Sequence, residues 1–322
     1  MNLKIKKYAC ALLGTLMAAA MPQIAMAQAK TTKLIVAFPP GGPVDFVARS
    51  ISDALSKELG QLVIVENKAG ANGAIAADYV IKSAPDGNTL WLTSVGAVAI
   101  NPSLYPKLSY NPKQDLAPVS LVVNNVELLV VNPKNPANNP AEFVANAKKQ
   151  RTTMASSGAG SVPHLAMEQV ADATGANLVH VPYKGAAPAI TDVMAGHVDG
   201  FFGDIPGLIN NVKAGKLKPV GLAATQRHPL LPDVKTFEEM GIKGVDSDNW
   251  YAIFTSKGTP PADIERINKA IAKVLANDAV KTRLANSGAQ PAASTPQQLA
   301  DLLEKDTAKW ERIIRTKNIQ PQ

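Results

Sequence analysis

The run Ser156-Ser157-Gly158-Ala159-Gly160-Ser161 brings three hydroxyls and two glycines to the start of a predicted helix. The first turn of a helix carries unbonded N–H groups that attract anions, and hydroxyls add side-chain donors. Plain capping of the helix by Ser161 is the alternative. A second stretch, Ala37 to Arg49, repeats the plan without hydroxyls. A short apolar run, Leu34 to Phe38, stops at Pro39-Pro40-Gly41-Gly42, and an amphipathic helix follows with Val44, Val47, Ile51, Ala54 and Leu55 on one face. Gly41 and Gly42 allow a ligand close to the main chain, and Pro43 suits a first helical turn. Such a unit holds an anion rather than cutting one; the alternative for Pro-Pro-Gly-Gly is a structural turn.

Other strand ends carry polar groups. Thr93 and Ser94 close a strand and either face the same cleft or cap a short helix. Tyr183 and Gly185 leave a strand for a helix, where Tyr183 either packs on a ligand and donates its O–H or sits in the core. Asp204 also stands at a strand end: it caps the helix beginning at Ile205, or it points into the cleft. In the cleft it would repel a second ligand carboxylate and favour a solute with a donor end.

His164 and Glu168 share a helix face, but no third ligand is near in sequence and no H-E-x-x-H occurs, so no metal is expected. His180, His197 and His228 read as structural or surface residues. The phosphate-loop and dinucleotide patterns are absent, and so is G-x-S-x-G. Spacing alone does not remove a Ser/His/Asp triad, because triads assemble in space. No cofactor is expected.

The elements that would position these residues alternate. Strands are predicted at Leu34–Phe38, Leu62–Glu66, Thr89–Thr93, Val119–Val123, Leu128–Val131, Thr153–Ser156, Leu178–Val181, Val198–Phe202 and Leu217–Ala223. Helices are predicted after Gly42 and at Ala71–Lys82, Ala141–Lys149, Pro163–Thr174, Ala187–Met194, Pro261–Ala276, Asp278–Ala285 and Thr295–Arg315. This alternation implies an α/β fold with largely parallel sheets, whose ligands bind at the strands' carboxyl ends.

The 322-residue chain opens on Lys4, Lys6 and Lys7, an apolar stretch and Ala25-Met26-Ala27, the pattern of a secretory signal peptide cleaved after Ala27. The one cysteine, Cys10, lies inside it, so the mature protein is expected to hold its fold without disulfides. Removing the three lysines lowers the net charge from +7 to +4, with no basic block. Nucleic acid is therefore not an expected partner.

Taken in order, KLIVAFPPGGPVDFVAR, VENKAGANGAIAA, APDGNTLWL, INPSLYPKLSYNP, DLAPVSLV, ASSGAGSVPHLAMEQ, HVPYKGAAPAITDVMAGHVD and LPDVKTFEEMG resemble the extracytoplasmic receptors of tripartite tricarboxylate transporters, the Bug-type solute-binding proteins. The resemblance spans essentially the whole mature chain. It implies a periplasmic binding protein fold (type II), with two α/β lobes joined by two crossing strands around a ligand cleft. It implies a carboxylate-bearing solute held by Phe38, Pro40, Gly41 and Gly42 of one lobe, by Thr93 and Ser94, and by Ser156, Ser157, Gly160 and Ser161 of the other, with His164, Tyr183 and Gly185 nearby; Asp204 joins the candidates on the reading of its own strand end. Two departures are visible. Val162-Pro163 replaces small polar residues, and Gly203-Asp204 puts a carboxylate where the family commonly has a neutral amide.

The expected organisation is a signal peptide over 1–27, a first lobe over 28–123 and 225–322, and a second over 124–224. The expected function is capture of a small organic acid, or an amino or aromatic carboxylate, in the periplasm for inner-membrane transporter subunits. The receptor is expected to be a monomer and not an enzyme. A ligand sensor for a membrane signalling protein is the alternative, followed by a secreted serine hydrolase using one of the Ser156–Ser161 hydroxyls.

Overall fold

The computed structural model describes residues 31–320. The expected signal peptide and Cys10 lie outside them. The first lobe starts with β1 (Thr31–Val36), α1 (Pro43–Leu59), β2 (Leu62–Asn67), α2 (Ala74–Ile81), β3 (Thr89–Ser94), α3 (Asn101–Leu104) and α4 (Pro112–Asp115). A sixteen-residue strand, β4 (Leu116–Val131), leads out of it. The second lobe holds α5 (Pro140–Lys149), β5 (Thr152–Ser156), α6 (Val162–Thr174), β6 (Leu178–Pro182), α7 (Ala186–Ala195), β7 (Gly200–Asp204), α8 (Ile205–Lys213) and β8 (Lys218–Ala223). The chain returns through β9 (Asp248–Ser256), α9 (Pro261–Ala276), α10 (Asp278–Ser287), β10 (Gln290–Pro291) and α11 (Pro296–Lys317).

The two sheets share β4. The first has the order β2-β1-β3-β9-β4-β10 and the second β8-β4-β7-β5-β6. Strands β1, β2 and β3 run parallel, as do β5, β6 and β7, while β4 is antiparallel to all its partners. Val126 is the last β4 residue paired with β9, and Glu127 is the first paired with β7 and β8. The two separate runs expected at Val119–Val123 and Leu128–Val131 are therefore one strand. Its second half alternates strictly: Leu128 and Val130 enter one apolar cluster, Leu129 and Val131 the other. Helices cover both faces, which is why the sequence there reads as a continuous apolar run rather than an alternating one.

Local chemistry fixes the helix ends. Helix α1 begins at Gly42 with Pro43 in its first turn and stops at Gly60, whose φ of 64° is the left-handed conformation glycine adopts freely. Helix α11 opens with a capping box, Thr295 and Gln298 each accepting the other's backbone N–H. Its buried Leu299, Leu303, Trp310 and Ile314 pack into the first-lobe core.

One further expectation needs correction, and one strand was not expected. The helix expected at Ala71–Lys82 starts at Ala74, because Ala71 and Asn72 take left-handed backbone angles (φ 47° and 45°). Asn72 is held there by reciprocal bonds with Asn101, its Nδ2 donating to Asn101 Oδ1 at 2.8 Å. Strand β9 had no sequence expectation, although its buried Trp250-Tyr251-Ala252-Ile253-Phe254 is an apolar, aromatic run suited to a central strand.

Candidate functional site

The loops after β1, β3, β5, β6 and β7 meet at the carboxyl ends of the parallel strands, where open α/β sheets bind ligands. They enclose two compartments of one cleft. Phe38, Pro39 and Ser157 border both. The inner compartment reaches Ser94, Asp204, Asn249 and Tyr251, and its cavity of about 30 Å³ has room for a water. The outer one, about 260 Å³, reaches Asn72, Tyr183, Lys184 and Gly185.

The Pro39–Gly42 loop is pinned from below by a buried carboxylate. Asp45 accepts from the Gly41 N–H at 3.0 Å, from Asn67 Nδ2 at 2.9 Å and from Arg49 Nε at 3.0 Å. Asn67 Nδ2 also donates to the Phe38 carbonyl at 2.9 Å. Burial alone would push the Asp45 carboxyl up; the bonds from Arg49, Gly41 and Asn67 outweigh it and hold the group below the usual carboxylate range. The Gly41 amide thus serves Asp45. Pro40 is exposed, and it is Pro39 that borders the cleft.

In the Ser156–Ser161 loop the three hydroxyls have three different fates. Ser157 borders both compartments. Ser156 is fully buried, with its Oγ 2.6 Å from His180 Nε2 and bonded to Gly158 N–H. Ser161 caps α6, accepting the His164 N–H at 3.5 Å. The loop's amides are partly consumed within it: Gly160 N–H donates to His164 Nδ1, and Ser161 N–H to the Gly158 carbonyl. Gly160 itself is a packing residue, since a Cβ there would lie 2.5 Å from Leu104 of the first lobe.

His164 is buried, stacked on His180 with ring centroids 3.8 Å apart, and its Nε2 is 3.6 Å from Glu168. Among the described residues no group of three or more His, Cys, Asp or Glu is placed to hold a metal ion. The Ser156–His180 contact has the elements of a nucleophile and base, but Ser156 lies under the loop, outside both compartments. Thr93 is likewise buried beneath the floor, while Ser94 reaches the inner compartment. Tyr183 gives its hydroxyl to Asp192 at 2.5 Å, so its ring, not its O–H, is presented to the outer compartment; burial and the Asp192 charge push the phenol up to about 12.

Asp204 does not cap α8 with its side chain. It turns into the inner compartment, where Tyr251 Oη and Asn249 Nδ2 donate to its Oδ2, the latter at 3.1 Å. The same Asn249 nitrogen donates to Glu127 Oε1 at 3.0 Å. Burial pushes the Asp204 carboxyl up to about 7 against the two hydrogen bonds. Burial, then the Asp204 charge, pushes Glu127 well above the carboxylate range. Glu127, Asn249 and Tyr251 were not among the expected site residues. A charged residue inside the apolar strand Val126–Val131 was the available signal for Glu127.

Two α/β lobes of matching strand order, joined by crossing strands and closed over a cleft, define a type II periplasmic binding protein fold. The family model for the tripartite tricarboxylate transporter family receptor matches residues 47–319, and the chain belongs to that family. Among solved structures the chain is similar to the periplasmic binding protein BugD, at 30% identity and a TM-score of 0.87, covering 91% of this chain and 99% of that one. It is similar to MatC from Rhodopseudomonas palustris with bound malate, at 32% identity and a TM-score of 0.84, covering 88% and 98%. It is also similar to R. palustris Rpa4515 with adipate, at 31% identity and a TM-score of 0.88, covering 91% and 98%. The protein is a solute-binding receptor of this family, and no helix among its described residues is long and apolar enough to cross a membrane.

Proposed function

We propose that this receptor captures a small carboxylate-bearing solute in the periplasm, after cleavage behind Ala27, and presents it to membrane subunits of a tripartite transporter. One observation carries the reading: loops from both lobes converge on a cleft with Ser157 at the junction of its two compartments. The malate and adipate found with two structural relatives support an organic acid as the ligand class. The inner cavity, about 30 Å³, is small beside a dicarboxylate, so the solute enters an opened cleft and the lobes close on it. We place the moving bodies at 28–123 with 225–322, and at 124–224.

Ligand contacts come from Phe38, Pro39, Gly42, Ser94, Ser157, the Tyr183 ring, Gly185 and Asp204. Ser156, Ser161, Gly160 and His164 shape the second-lobe loop. The reading makes the protein a receptor and not an enzyme; among the described residues the Ser156 hydroxyl against His180 is out of reach of the cleft. A thermal-shift screen of mono-, di- and amino-carboxylates tests it, because a ligand that binds only the folded state raises the melting temperature. A carboxylate that stabilises the protein and is recovered unchanged supports the reading; chemical conversion, or no stabilisation by any carboxylate, overturns it.

A further inference from the structure

The inner wall of the cleft is short of donors. Asp204 Oδ1, Glu127 Oε2 and Asn249 Oδ1 are buried oxygens without a hydrogen-bond partner. Asn249 Nδ2 is committed to both carboxylates, which fixes its oxygen as the unpaired end of that amide. Asp204 and Asn249 border the compartment at 6% and 4% exposure, and Glu127 stands behind them, directly opposite Asp204 across the β4–β7 pairing. Burial of both carboxyls, and the Asp204 charge beside Glu127, favour a proton on this pair, which the Asn249 amide joins. That proton supplies one donor for three waiting acceptors.

Among the described residues no lysine, arginine or histidine borders the inner compartment, and Lys184 of the outer one is the sole cation lining either. The titratable groups acting on the acid pair are Tyr251 and the two acids themselves. A second ligand carboxylate placed here would meet negative charge and lone pairs. A protonated amine would meet the acceptors it needs, and an ammonium head occupies about the space of the water this cavity admits.

We propose that Glu127 and Asp204 form a two-acid subsite for a cationic or N–H-bearing end of the solute, whose carboxylate end lies toward Ser157 and Lys184. The proposal rests on the receptor reading above. Asp204 touches the donor end; Glu127 is a positioning residue that acts through Asp204 and the Asn249 amide. A cation at Asp204 favours ionisation of the pair, so its binding expels the pair's proton, whereas a carboxylate there draws a proton in.

Calorimetry on the mature protein, with β-alanine, γ-aminobutyrate and 5-aminopentanoate set against succinate, glutarate and adipate, tests this. Buffers of low and high ionisation enthalpy near neutral pH report the proton. The expected result is binding of an amino acid of the first series with proton release, roughly tenfold or more tighter than any diacid, the lower end of a charged hydrogen bond's worth. Asp204→Asn should collapse that preference, and Glu127→Gln should reduce proton release, since Asp204 keeps its own burial, while both variants melt as folded proteins. Preference for diacids in the wild type, or a ligand ranking and proton balance unchanged in both variants, overturns the two-acid subsite and leaves the receptor reading standing. Binding of neither series removes the carboxylate reading itself, and this inference with it.

Discussion

A Cβ on Gly185 would lie 2.5 Å from Cδ of Pro39 in the opposite lobe. The two loops close on each other only because Gly185 has no side chain. A Cβ on Gly160 would lie 2.5 Å from Leu104, and one on Gly207 3.2 Å from Pro43, across the same divide. Glycines therefore serve lobe contact as much as ligand approach in this cleft.

Gly185→Ala should keep the lobes apart. With saturating solute the wild type should contract in small-angle scattering, and the variant should not, with affinity falling roughly tenfold or more. Gly185 also sits at φ 113°, so backbone strain must be separated from blocked closure. Gly175→Ala provides the comparison: its φ is 70° and no atom lies within 4 Å of its new Cβ. It should lose stability, on the order of 1 kcal/mol, and bind as the wild type does.

The serines should divide by role. Ser157→Ala should weaken binding by about 1.5–3 kcal/mol, the worth of a hydrogen bond to a charged group, with an unchanged melting temperature. Ser161→Ala should do the reverse, removing about 1 kcal/mol of stability with the loss of the α6 cap. Calorimetry and thermal melting on the same two proteins decide it; equal binding losses in both would return Ser161 to the ligand.

Asp45→Asn should free the Phe38–Gly41 loop without touching any solute. The neutral amide keeps the shape but loses the charge that gathers the Gly41 N–H, Asn67 and the Arg49 guanidinium. Hydrogen exchange at Gly41 should rise, and affinity should fall with it. Slow exchange at Gly41 together with intact affinity would show that the loop holds itself.

The acid pair should leave its mark on stability against pH. Its folded-state pKa values are raised, so the native protein binds more protons than the unfolded chain between 3.8, the ordinary aspartate value, and about 7 for Asp204. The pair's contribution is then full below that window and is lost as pH rises through it, at up to about 1.4 kcal/mol per pH unit. Asp45 and Glu142, whose values are lowered, slope the other way, so the measurement is a difference. Denaturant unfolding of the wild type and of Glu127→Gln/Asp204→Asn across this range should give a difference that falls with rising pH. A flat difference would mean that the pair does not titrate there.

Local signals in the sequence determined the alternating strands and helices, their capping residues, and the loops that end the strands. Gly42-Pro43, Ser161 and Thr295 mark helix starts because capping depends on residues within one turn. The resemblance to a receptor family rested on those same loops. What each loop residue does was decided by partners distant in sequence. Ser156 is turned to His180, Tyr183 to Asp192, and Gly41 to an Asp45 that Asn67 also holds. Asp204 was legible as either cap or cleft wall. Its environment is set by Asn249 and Tyr251 on a strand 45 and 47 residues away, and by Glu127 across the sheet. Sequence spacing carries the periodicity of an element, but strand register and lobe closure choose which buried oxygens come together and which border the cleft.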